Sequence, residues 1–220
     1  MEIANVFPDQ ESTTLHSEIK RRKMQYAFDY ISTLGESGLA FAGISGSVSY
    51  EPMEGDDVDI FLIADDGRLW EVILRAFIRR RVLRMDDICL SLCMSSSYAS
   101  DYYSSITDPL VLDDAAHVIP IYGRSYYADL LSRIGTRNDR TQSGNEARRW
   151  RPRQVISGIL FLWLAPLMVI KGLIVNHHLM SSGRGPESFR TLVSRRYFIL
   201  DSEKYRTLME KRRAGSGILD

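Results

Sequence analysis

Cysteine is almost missing from this chain: 220 residues hold two, Cys89 and Cys93. That scarcity excludes a disulfide-stapled scaffold, and no histidine stands near the pair at zinc-site spacing. Four apart on one predicted strand, the two thiols share a face at a separation too great to bridge comfortably. They read as reduced core thiols, which points to a reducing, cytoplasmic compartment. The residues from Glu2 to Asp9 lack the pattern of a signal peptide. Net charge is missing too, since 28 Lys/Arg balance 28 Asp/Glu. With 45% hydrophobic and 25% charged residues the composition is that of a folded protein, not a disordered one.

The zero balance hides an asymmetry. Residues 1 to 139 carry 13 Lys/Arg against 22 Asp/Glu, net −9, whereas residues 140 to 220 carry 15 against 6, net +9. An acidic half suits metal binding, and a basic half suits phosphate, nucleic acid or an anionic membrane. The plainer alternative is that the two halves attract each other.

What the chain does have is concentrated between Phe41 and Asp65. A small-residue turn at Gly46-Ser47 is entered from the apolar run Leu39 to Ser45, and an acid pair, Asp57 and Asp59, leads into a second run, Val58 to Ala64. Side chains alternate along a strand, so Asp57 and Asp59 point one way while Val58 and Ile60 point into the core. Two carboxylates that close repel unless one is protonated or a divalent cation sits between them. Mg²⁺ or Mn²⁺ suits that donor set of carboxylate and water. Glycine lets backbone N–H groups approach an anion, and a helix starting at the turn would aim its positive end at a phosphate. Together the parts describe a site for a metal-bound nucleoside triphosphate. The plainer alternative is a hairpin or βαβ unit whose Glu54, Asp56 and Asp57 are loop charge.

Gly46-Ser47, nine residues, then Asp57-Val58-Asp59-Ile60 resembles the signature of the polymerase-beta nucleotidyltransferase superfamily. The succession Phe61-Leu62-Ile63, Gly67-Arg68-Leu69-Trp70, Asp87-Ile88-Cys89-Leu90 and Pro120-Ile121-Tyr122-Gly123 looks like a group of little-characterised prokaryotic nucleotidyltransferase-domain proteins, over residues 15 to 135. The resemblance implies an α/β (α+β) core, a mixed sheet with flanking helices, followed by a C-terminal helical segment. It also implies transfer of a nucleoside monophosphate from a triphosphate to an acceptor hydroxyl, with Mg²⁺ or Mn²⁺ on Asp57 and Asp59 and the phosphates cradled at Gly46 and Ser47. Members usually carry a third acid within the next strand, here Asp86 to Met94. The interior of that strand is Cys, Leu and Ser, so Asp87 at its start is the nearest substitute. Without a third acid the chain would be a catalytically weak nucleotide-binding regulatory module, such as a toxin-antitoxin component or a membrane-tethered sensor.

The remaining chain reads as follows. Leu15 to Leu34 is an amphipathic helix ended by Gly35, with Glu18 to Lys23 as solvated charge. A second helix runs from Gly67 to Arg84, its arginines snorkelling. Asp108 to Ile119 and Ser125 to Ile134 are short helices, and His117 is a packed or surface residue. Polar Thr136 to Asn145 marks a boundary, giving a nucleotidyltransferase domain at 1–138, a basic linker at 139–153 and a helical segment at 154–220. Within the last, Val155 to Val175 is a 21-residue run whose one charge is Lys171, preceded by Arg148, Arg149, Arg151 and Arg153. It is either a membrane span or a helix buried on, or apposed to a membrane beside, the catalytic domain. The second choice makes the protein cytoplasmic, the first membrane-associated with its domain in the cytoplasm. Adjacent His177 and His178 point apart on a helix and make no metal site. Phe189 to Ala214 reads as a basic helical segment, more readily a solvated basic tail than a surface for an acceptor or for nucleic acid, which has no motif here.

Overall fold

The computed structural model describes residues 15–50, 52–134, 152–183, 188–202 and 207. The predicted linker at Thr136–Asn145 and the basic cluster Lys211–Arg213 lie outside those residues. Helix α1 (Leu15–Ser32) leads into strand β1 (Leu39–Ser45), a 3-10 turn (Gly46–Ser49) and strand β2 (Val58–Ala64). Helix α2 (Leu69–Val82) crosses to β3 (Ile88–Ser95), which pairs with β2 in parallel. Then come α3 (Ser96–Ser105), α4 (Pro109–His117), β4 (Ile119–Tyr122), α5 (Arg124–Ser132), the 30-residue α6 (Pro152–Ser181), β5 (Phe189–Val193) and β6 (Tyr197–Ser202). The strands form one mixed sheet in the order β4-β1-β2-β3-β6-β5, the α+β architecture expected.

β1 and β2 are apolar on both faces because the sheet is covered on both sides. Ile44, Ile60, Leu62 and Val58 pack under α1, α2 and α6, while Phe41, Phe61 and Ile63 pack under α3, α4 and α5. Trp70, 1% exposed, ties α6 down: its backbone N–H donates to Ser157 Oγ at 3.3 Å and its indole N–H to the Ser194 carbonyl at 3.2 Å. Asn176 further along α6 exchanges bonds with the Phe189 backbone, accepting from its N–H at 3.0 Å.

Three expectations need correction. From Phe189 to Ser202 the expected basic helix is absent, and Thr207, described beyond it, is helical. Phe189–Val193 and Tyr197–Ser202 form a hairpin that adds to β3 through Leu92↔Ile199, Cys93↔Phe198 and Met94↔Tyr197. Its β-branched and aromatic residues favour a strand, and Arg195-Arg196 are the turn, closed by Ser194 N–H to the Tyr197 carbonyl at 2.8 Å. The segment read as a separate helical unit thus contributes two strands to the same sheet as β1–β4.

Cys89 and Cys93 do not share a face. Ile60 pairs with Leu90 but Phe61 pairs with Leu92, so Ser91 is one residue extra and a bulge reverses the alternation after it. Cys93 falls in the same core cluster as Ile88, and Cys89 lies against Asp59.

Nor is α6 buried. One side packs on α2 and β5, with Ser157 and Ala165 at 5% and 8% exposure, while Leu162, Trp163, Leu173 and Ile174 on the other are more than half exposed. Over Gln154–Ser181 the helix is long and apolar enough to cross a membrane.

Candidate functional site

Asp59 lies in the middle of the sheet, its Cα paired with Ser45 on β1 and Cys89 on β3. Gly46, the next residue after Ser45, has φ +66°, a left-handed conformation natural to glycine. A Cβ built at Gly46 would fall onto Asp59 Oδ2, so the bend is shaped around that carboxylate. Asp57, just before β2, opens into the same cleft, as do Gly46 and Ser47. The structure therefore brings together four of the five residues picked from sequence.

The electrostatics are those of a carboxylate pair pushed toward protonation by burial and by neighbouring acids, with cations offsetting part of the effect at Asp57. Burial, first, and the neighbouring Asp57 raise the Asp59 carboxyl from 3.8 to about 7, against opposing hydrogen bonds from Cys89 and Ser91. Asp57 keeps more of its surface in water. Its carboxyl is raised by partial burial and next by Asp87, with Arg80 and Lys23 opposing. A divalent ion fits this donor set: Mg²⁺ is commonly held by one or two carboxylates with its other positions left to water and substrate phosphates. Among the described residues no three His, Cys, Asp or Glu side chains converge as a full protein cage.

Asp87 stands further out. Its carbonyl accepts the Val58 N–H at 2.8 Å and its charge reaches Asp57, but it does not line the cleft. The β3 side chains facing Asp59 are Cys89 and Ser91, with Ser91 Oγ 3.5 Å from Ser45 Oγ. Burial pushes the Cys89 thiol well above its ordinary value, which removes it as a nucleophile.

The turn after Ser47 also differs from expectation. It is a single 3-10 turn of four residues, closed by Tyr50 N–H to the Ser47 carbonyl at 3.1 Å and Ser49 Oγ to the Gly46 carbonyl at 2.7 Å. No long helix starts there, so the helix N-terminus expected beside Gly46 and Ser47 is replaced by a short bend. Two lysines of α1, read from sequence as solvated, hold the loop instead. Lys20 Nζ donates to the carbonyls of Ser49 (3.1 Å) and Tyr50 (2.9 Å). Lys23, only 8% exposed, donates to the carbonyls of Glu54 (3.0 Å) and Asp56. The readable signal was their i, i+3 spacing on the α1 face that carries buried Ile19 and Ala27. Arg80 is the one α2 arginine that lines the cleft; its guanidinium donates to the Asp86 carbonyl at 2.7 Å.

Across the cleft, the ring of Tyr50 stacks on exposed His117, centroids 4.4 Å apart, and its hydroxyl donates to Asp114. Sequence reading missed the Tyr50 pairing, which joins α4 to the turn over 64 positions. No family model, curated protein or solved structure matches the chain, so the family resemblance stands on its own residues.

Proposed function

We propose that this protein is a metal-dependent nucleotidyltransferase that moves a nucleoside monophosphate from a triphosphate to an acceptor hydroxyl. The observation carrying that reading is the fit of the Gly46 backbone against the Asp59 carboxylate, with Asp57 open to the same cleft. Asp57 and Asp59 would hold Mg²⁺ or Mn²⁺, which would offset the charge of the triphosphate and of the departing pyrophosphate. Gly46 and Ser47 would present backbone to the phosphates, and Arg80 and Lys23 offset part of the charge at Asp57. In the reaction the acceptor oxygen bonds to the α-phosphorus as the bond to the bridging oxygen breaks. Pyrophosphate departs with the electron pair. Because β3 presents Cys89 and Ser91 beside Asp59, the hydroxyl proton leaves to water in the open cleft. A general base is worth roughly 10²–10⁴-fold in rate, so with no carboxylate on β3 beside Asp59 turnover is expected to be slow.

That same thiol and hydroxyl favour a second reading, a nucleotide-binding regulatory module that does not transfer. One experiment separates them: the full chain is incubated with labelled ATP, GTP, CTP and UTP and Mg²⁺ or Mn²⁺. Pyrophosphate release that is lost in Asp57→Asn and Asp59→Asn supports the transferase. Nucleotide binding without release supports the module, and activity undiminished in Asp57→Asn refutes the site.

A further inference from the structure

The cleft does not stop at the carboxylates. Hydrogen-bonded pairing between β3 and β6 is confined to Leu92–Met94 and Tyr197–Ile199. Beyond those pairs the cleft is lined by Ser91 of β3 and by Leu200 of β6, and it reaches α6 at Leu164, Met168 and Val175. Its volume is about 2040 Å³. A single small-molecule site takes roughly 300–1,000 Å³, so a nucleotide at Asp57 and Asp59 leaves room for a second substrate of comparable size. The walls there are mostly aliphatic. A polynucleotide needs a basic track along its backbone, and among the described residues Lys171 is the one cation that α6 brings to this wall.

The same helix carries a large exposed apolar stripe. Ile159, Leu162, Trp163, Leu167, Ile170 and Ile174 recur at helical spacing and are 51% to 73% exposed. An apolar surface of that extent marks a contact with a membrane or a partner. Leu167 belongs to both features, since it is 60% exposed on the stripe and also lines the cleft. The sequence immediately before α6 supplies Arg148, Arg149 and Arg151, the sign that suits an anionic lipid surface. Spanning the bilayer is disfavoured, because it would strip α6 from Trp70 and Phe189 and carry Asn176, bonded to Phe189, into hydrocarbon.

We propose that the acceptor is an amphiphilic alcohol taken from a lipid surface on which α6 lies flat. Its hydroxyl head reaches Asp57 and Asp59, and its hydrocarbon chain occupies the apolar arm beside α6. The products are a lipid-linked nucleoside monophosphate and pyrophosphate, with the hydroxyl proton released to water. The inference rests on the nucleotidyltransferase reading.

Two measurements on the full chain test it. In the first, a pyrene-labelled dodecanol is titrated by fluorescence. One molecule binds the wild type, and binding weakens about tenfold in Val175→Trp, which fills the arm, and in Leu167→Asp, whose exposed position keeps the fold intact. In the second, α-labelled nucleotides are supplied with phosphatidylglycerol vesicles containing that alcohol. Label moves into the organic extract, with equal pyrophosphate released. Alcohol binding that is absent, or unaffected by either variant, overturns the proposal. So does label confined to water-soluble products or the protein, although the transferase reading then survives. No pyrophosphate under any condition overturns both. A stable dimer that ignores vesicles assigns the stripe to a second copy of the chain and overturns the lipid acceptor.

Discussion

At Gly46 a backbone angle and a carboxylate are fitted to each other. An L-residue pays roughly 1–2 kcal/mol in the left-handed region, and here its Cβ would also displace Asp59. Gly46→Ala is expected to lower the melting temperature modestly and to remove nucleotide binding, read by calorimetry of both. Asp59 supplies a pH signature. Its carboxyl titrates near 3.8 when unfolded and at about 7 when folded, so the native state holds the extra proton between those values. Stability of the cation-free protein therefore falls as pH rises from about 4 to about 7 and then levels off. Mg²⁺ or Mn²⁺ competes with that proton, so adding it should raise the melting temperature at pH 8 and scarcely at pH 5. Asp59→Asn should abolish both effects. Cys89 offers the converse experiment: Cys89→Asp places a third carboxylate directly beside Asp59, and transfer should rise about tenfold or more in Mn²⁺ if a missing base limits it. An unchanged rate would assign the slow step elsewhere.

Individual elements differ in how plainly the sequence declared them. β1 and β2 were legible to the residue because unbroken apolar runs end at a Gly-Ser turn and an acid pair, and both faces of those strands are buried. The bulge at Ser91 was not legible. Nothing in Cys-Leu-Ser-Leu-Cys announces an extra residue, whose place depends on the register with β2. The hairpin β5–β6 was misread because two arginines between apolar runs look like the polar face of a helix as much as a turn. Its strand character comes from pairing with β3, a contact that local sequence does not contain. Lys23 was misread for a related reason: a lysine on an amphipathic helix is usually solvated, and only the loop lying across α1 gives it two carbonyls. Lys23→Met removes those bonds and should cost about 1–2 kcal/mol in chemical denaturation, with weaker metal binding as the loop carrying Asp56 and Asp57 loosens. A variant as stable and as tight as wild type would remove Lys23 from the site.

For the molecule as a whole, the candidate site is built across the middle of one sheet, and the C-terminal residues complete that sheet rather than append to it. The acidic and basic halves of the sequence meet there through Arg196, whose guanidinium bonds Asp101 at 2.6 Å. Solvent-exposed, that pair contributes little, and Trp70 with its partners on α6 and the hairpin does more to hold the parts together. Truncation before α6 would uncover Trp70 and the edge of β3, so a chain ending near residue 138 should aggregate where the full chain does not. The central claim is that Asp57 and Asp59 together hold a divalent cation against a triphosphate at the Gly46 bend. Mn²⁺ binding by electron paramagnetic resonance, with and without nucleoside triphosphate, tests it most directly. The account predicts a bound Mn²⁺ whose affinity rises with the triphosphate and which disappears in Asp57→Asn and Asp59→Asn of unchanged fold. Mn²⁺ bound equally well by the wild type and both variants would contradict it.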